Sequence, residues 1–192
     1  LCFLVQALRQ PRGRPWLWAG DVLTALLSLY SHYYDAFSLL FQNAFVFLFY
    51  WRRAAVLRRW IASQAAVGLL FLPWLILGSS RPLTYQAETT DVPGPLGMVA
   101  RSLSVFSLGE TIPQALAEVL LPALVLLLLV GLAVALGRGR RTLGFLILYL
   151  GIPIAGMWLL AQWRPLFRER YLSVIAPAFT LAPSWPAHGW LL

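Results

Sequence analysis

The chain has 192 residues, of which 60% are hydrophobic and only 11% charged, against about 25% charged in soluble domains. A soluble core of this length has no room for so much apolar surface, so composition excludes an ordinary water-soluble fold and points to a membrane helix bundle. The net charge of +8 comes from fifteen arginines and no lysine, mostly clustered between apolar runs. That is a pattern of loops flanking membrane helices, which excludes a nucleic-acid-binding face.

The chain opens with apolar residues 1–8, too short to span, with no basic segment before them and no small-residue cleavage site. They are expected to be the tail of a helix that begins outside the sequence, and the end at Leu192 is expected to be truncated as well. Residues 9–14 form a basic turn broken by Pro11 and Gly13. A first spanning run covers 16–30, a polar and aromatic turn 31–35, and a second run 36–50 with Gln42 and Asn43 near its middle. Residues 51–60 read as the next basic loop, and a third run covers 61–78, with Pro73 as a tolerated kink.

Residues 79–117 differ in kind, with Pro82, Pro93, Pro95 and Pro113 beside Glu88, Asp91 and Glu110. Within this extracytoplasmic loop, Leu96, Val99, Leu103 and Phe106 make one apolar stripe, which predicts a helix over 95–108 lying flat at the membrane surface. A fourth run follows over 119–136. Gly137-Arg-Gly139 is a turn rather than a phosphate loop, since it lacks a preceding strand and a third glycine. The fifth run is 143–162, and a sixth starts at Tyr171, interrupted by Pro177, Pro183 and Pro186. The expected fold is therefore all-α: one polytopic transmembrane region over 1–192, with about six spanning helices and one interfacial helix.

Arginine counts orient it. Residues 9–15, 51–60 and 137–141 carry ten of the fifteen, which places them on the cytoplasmic side. Arg164, Arg168 and Arg170 then fall on the outer side, against the rule, just ahead of Tyr171. Guanidinium groups at that depth suit a phosphate or diphosphate of a lipid carrier. They equally suit anchoring to ordinary anionic headgroups, with Trp163 and Tyr171 as interfacial aromatics.

His32, Tyr33, Tyr34 and Asp35 share that outer side. A histidine and a carboxylate there can share a proton or bind sugar hydroxyls. They can also be interfacial anchors, with Asp35 as an N-cap. Gln42 and Asn43 are expected to hydrogen-bond between helices, and Asp21 to pair with Arg14. Cys2, His32 and His188 offer no metal-ligand set, and no cofactor motif is present.

Four stretches in order, 30–43 (YSHYYDAFSLLFQN), 71–74 (FLPW), 106–109 (FSLG) and 165–172 (PLFRERYL), resemble the middle and later part of bacterial multispanning GT-C glycosyltransferases. The similar group is the family 39/83-like set, related to protein O-mannosyltransferases and the aminoarabinose transferase of lipid A. The resemblance covers roughly residues 1–180. It implies a multi-pass protein of the bacterial inner membrane, transferring a sugar from a polyprenyl-phosphate donor to a lipid, glycan or protein acceptor on the outer face, with little or no dependence on metal.

The resemblance further implies that Arg168, Arg170 and Tyr171 contact the carrier phosphate and that His32 and Tyr33 line the substrate cavity. The family's catalytic aspartate lies in a first outer loop with no counterpart here, so no catalytic residue is assigned and the segment alone is expected to be inactive. The alternatives are a multispanning transporter or flippase-like permease, and a non-catalytic scaffold. Transporters place ionisable residues near the midplane, whereas these runs keep charge at their ends.

Overall fold

The computed structural model describes residues 1–9, 14–79, 93–109 and 113–163. Among them are seven α-helices and no strand: α1 (Cys2–Arg9), α2 (Pro15–Ser31), α3 (Ala36–Tyr50), α4 (Ala54–Ser79), α5 (Pro95–Leu108), α6 (Gln114–Arg138) and α7 (Arg140–Trp163). A one-turn 3-10 helix, Tyr33–Asp35, joins α2 to α3. The chain divides into two compact units, the first running to Gln86 and the second from Ala87.

Among the described residues, three stretches are long and apolar enough to cross a membrane: Ala54–Leu77, Ala115–Arg138 and Arg140–Gln162. Their helices, of 26, 25 and 24 residues, reach about 36–39 Å at 1.5 Å per residue, beyond the roughly 30 Å of hydrocarbon. The six spans expected from sequence are not reached among the described residues. The first two runs fold as helices of 17 and 15 residues, only about 22–26 Å long. The sixth run, from Tyr171, lies outside the described residues.

In the first unit α1 is too short to stand alone and buries Leu4, Val5, Ala7 and Leu8. Its Phe3 lies so close to α2 that a Cβ on Gly20 would meet the ring at 2.9 Å. The same ring makes an edge contact with Trp16, centroids 6.2 Å apart. Helices α2 and α4 pack along each other and run in the same direction, with Leu29 against Val67 and Phe71, and Val22, Ala25, Leu26 and Leu39 around them. This follows from α3 returning between them. It brings Arg14 and the arginines at 52–59 to one end of the unit and His32 to Asp35 to the other, as alternating loops require.

Helix α4 begins earlier than the apolar run suggested. Only 51–53 form the turn, and the Arg53 carbonyl accepts from the N–H groups of Val56 and Leu57 at 2.9 and 3.0 Å. Residues 54–60 hold good helix formers and neither glycine nor proline, so the helix propagates back through Arg58 and Arg59. Trp60, read from sequence as a loop aromatic, is fully buried.

Pro73 lies inside α4 and cannot donate to the ladder. In the turn before it, the Leu70 carbonyl accepts from the Tyr30 hydroxyl of α2 at 2.9 Å. Tyr30 also sets its ring edge against Phe71, and Phe71 stacks on Trp74. The carbonyl that Pro73 leaves without its ladder donor is that of Leu69, so the Tyr30 bond ties α2 to the neighbouring carbonyl rather than replacing the lost bond, and the helix tolerates the proline as membrane helices do. The other side of α4, with Leu69, Leu72, Ile76 and Leu77, is exposed as a lipid-facing surface requires.

In the second unit α6 and α7 form a hairpin turned at Gly139, whose φ of +122° only glycine adopts without strain. Ala135 and Leu146 are buried at its centre, flanked by Leu132 and Leu143. Helix α5 packs against both. It covers the residues predicted to be helical, but its buried side is Met98, Ser102 and Leu103. Leu96, placed in the stripe from sequence, is 85% exposed.

Candidate functional site

At the end of the first unit opposite its arginine-rich turns, Ser28, His32, Tyr34 and Asp35 come together. The chain leaves α2 at His32, which is extended (φ −152°, ψ 100°) and donates its N–H to the Ser28 carbonyl at 2.7 Å. That break turns the backbone into the 3-10 turn, where the Asp35 N–H donates to the His32 carbonyl at 2.9 Å. The His32 ring stands edge-on to Tyr34, 6.2 Å between centroids, and Tyr34 is buried.

Asp35 occupies the N-cap position of α3 without acting as a cap by its side chain. Its backbone is right-handed helical (φ −66°, ψ −5°), not the extended conformation that lets a capping side chain reach the following N–H groups. Its carboxylate turns back to α2 instead, where the Ser28 hydroxyl donates to Oδ2. Oδ1 is buried and has no hydrogen-bond partner. The carboxylate thus keeps one unused acceptor oxygen, enclosed by the protein beside the Ser28 bond.

Of the residues singled out from sequence, His32 lies in this end cluster, and Tyr33 belongs to the same 3-10 turn, though its side chain is outside the described residues. Arg168, Arg170 and Tyr171 also lie outside the described residues.

Asn43 does bond between helices. It accepts from Trp60 Nε1 at 2.9 Å, and its Nδ2 donates to Gln64 Oε1 at 3.2 Å and to the Leu39 carbonyl at 2.9 Å. Its neighbour Gln42 is buried, but Oε1 has no partner. Asp21 is not paired with Arg14 as expected. The carboxylate is buried, Arg14 is exposed, and no ion pair joins them.

Sequence reading passed over Glu118, which with Arg101 and Ser104 lines a groove of about 380 Å³ between α5 and α6. The signal was a lone carboxylate at the edge of a strongly apolar run. Among the described residues, no three His, Cys, Asp or Glu side chains group as metal ligands. No protein family, curated protein or solved structure matches the chain.

Proposed function

We propose that the chain is part of a GT-C type membrane glycosyltransferase of the bacterial inner membrane, moving a sugar from a polyprenyl-phosphate carrier to a lipid, glycan or protein acceptor on the outer face. The observation that supports this reading is the Ser28–Asp35 and His32–Tyr34 cluster, at the end of the first unit away from its arginine-rich turns. Chemistry on a lipid-borne substrate belongs at such an end, since the apolar helix interiors offer no place for a sugar. In this reading His32 and Tyr33 line the sugar cavity. Arg168 and Arg170, with Tyr171, hold the carrier phosphate, and their fixed charges stabilise the negative charge that grows on the leaving phosphate.

The test is transfer of a labelled sugar from polyprenyl-phosphate donors by membranes carrying the full protein. Arg168→Ala and Arg170→Ala are expected to lower the rate about ten- to a hundredfold, the worth of a charge-assisted contact of about 1.5–3 kcal/mol. Lysine should rescue poorly, because it lacks the planar fork that matches phosphate oxygens. Arg138→Ala and Arg141→Ala should leave turnover unchanged. If all four variants behave alike, the arginines after Trp163 are headgroup anchors.

One observation favours the second reading, a transporter or flippase-like permease. Asp21 is a carboxylate buried in the packing of α2, and buried ionisable groups in membrane proteins mark substrate or proton paths. Solute uptake into proteoliposomes that is abolished by Asp21→Asn, without sugar transfer, would replace the first reading with this one.

A further inference from the structure

Helices α2 and α4 start together at the arginine-rich end of the first unit but do not end together. Trp18 lines one cleft with Arg59, Leu29 packs with Val67, and Tyr30 packs on Phe71. The two helices therefore keep one register along their length, and Ser31, the last residue of α2, stands level with Leu72. Helix α4 runs on past that level through Pro73, Trp74, Leu75, Ile76 and Leu77, about 8 Å farther at 1.5 Å per residue.

These two ends are inverted with respect to a flat membrane boundary. Leu72 to Leu77 are all exposed, and successive residues turn about 100°, so α4 presents apolar surface all round here. Such surface belongs in hydrocarbon. Nearer the arginine-rich end than that surface, Ser31 is exposed, the backbone is extended at His32, and the 3-10 turn leads on to Asp35. Irregular backbone facing lipid does not occur within hydrocarbon.

The lipid-facing belt of α2 agrees. Its exposed apolar residues, Trp16, Leu23, Leu27 and Tyr30, cover about 21 Å, short of roughly 30 Å of hydrocarbon. Measured from the level of Trp16, α4 reaches that thickness at Leu77. Tilting the unit only moves the step to its other end.

We propose that the first unit dimples the leaflet on its His32–Asp35 side. Phospholipid headgroups, with their water, come down about 8 Å along the α2–α3 flank and meet Ser31 and His32. Along the α4 flank hydrocarbon stays in place as far as Leu77. The partner is the bilayer itself, met at a step in the lipid-facing surface. Thinning one leaflet locally is a modest cost beside holding polar backbone in hydrocarbon. The dimple delivers headgroups to the end cluster whatever reaction takes place there, so the inference goes beyond sugar transfer and does not rest on it.

The test is collision electron paramagnetic resonance on the full chain in vesicles of phosphatidylcholine and phosphatidylglycerol. In a Cys2→Ser background, spin labels are attached one at a time at Leu27→Cys, Ser31→Cys and Ile76→Cys, all exposed positions. Oxygen concentrates in hydrocarbon and a neutral nickel chelate in water. Labels at 27 and 76 should collide several-fold more with oxygen, and the label at 31 several-fold more with nickel. That order is the signature of a step, since 76 lies about 6 Å farther along the axis than 31.

If 31 and 76 both favour oxygen, the leaflet is flat and the turn lies in hydrocarbon. If both favour nickel, the leaflet is flat and the end of α4 lies outside it. If 27 favours nickel, α2 does not enter the hydrocarbon. Each of these results overturns the proposal. A labelled chain that loses helical circular dichroism is replaced by one labelled at another exposed site, Leu23 for Leu27, Ala36 for Ser31 and Leu75 for Ile76.

Discussion

Gln42 and Asn43 are neighbours in the same apolar helix, yet the structure predicts that removing them acts in opposite directions. Asn43→Ala deletes two side-chain bonds between α3 and α4, to Trp60 and Gln64. Such bonds between membrane helices average about 0.6 kcal/mol and reach about 1.7. The larger part comes from what is left behind. Trp60 has no solvent exposure, so its indole N–H is stranded at a cost of about 1–3 kcal/mol. Against that stands about 0.5 kcal/mol gained from the better helix propensity of alanine.

The net loss should be about 2–4 kcal/mol. Gln42→Leu removes a buried carbonyl oxygen that has no partner and should be neutral or stabilise by up to about 1 kcal/mol. Reversible unfolding of the purified chain in mixed micelles, followed by helical circular dichroism, gives both numbers. A double-mutant cycle with Trp60→Phe isolates the shared bond, with an expected coupling of about 1–2 kcal/mol. If the two single losses simply add, or if Gln42→Leu costs more than Asn43→Ala, the interhelical assignment is wrong.

Three further expectations can be checked with the same protein. In a background lacking Cys2, an impermeant thiol reagent applied to intact cells should label Ser31→Cys and Ser80→Cys but not Arg140→Cys; the opposite pattern inverts the topology. Tyr30→Phe should destabilise the fold by about 1 kcal/mol through the loss of its bond to the Leu70 carbonyl. An unchanged stability would show that the Leu70 carbonyl is already satisfied within α4. Gly139→Ala should cost about 1–3 kcal/mol, because a φ of +122° strains any side chain, and a wild-type melting profile would contradict that backbone conformation.

Much of the helical layout is legible in the sequence because an apolar run in a charge-poor chain can end only at polar or helix-breaking residues. The apolar run 36–50 folds as α3 with those same limits, and the turn at Gly137-Arg-Gly139 is that of the α6–α7 hairpin. The start of α4 was hidden, because Arg58, Arg59 and Trp60 look like a loop until α3 is there to cover Trp60 and accept its N–H.

Inward faces were hidden for a related reason. A helix that is apolar nearly all round has no stripe to announce which side packs, so its neighbours decide it. Adjacent positions on a helix also point about 100° apart, which is how Asn43 meets Trp60 and Gln64 while the Gln42 oxygen meets no donor. The same holds at the candidate site. Sequence placed Asp35 at a helix start, where capping is the local expectation, but only the fold brought Ser28 of α2 close enough to claim its carboxylate and leave one oxygen unpaired.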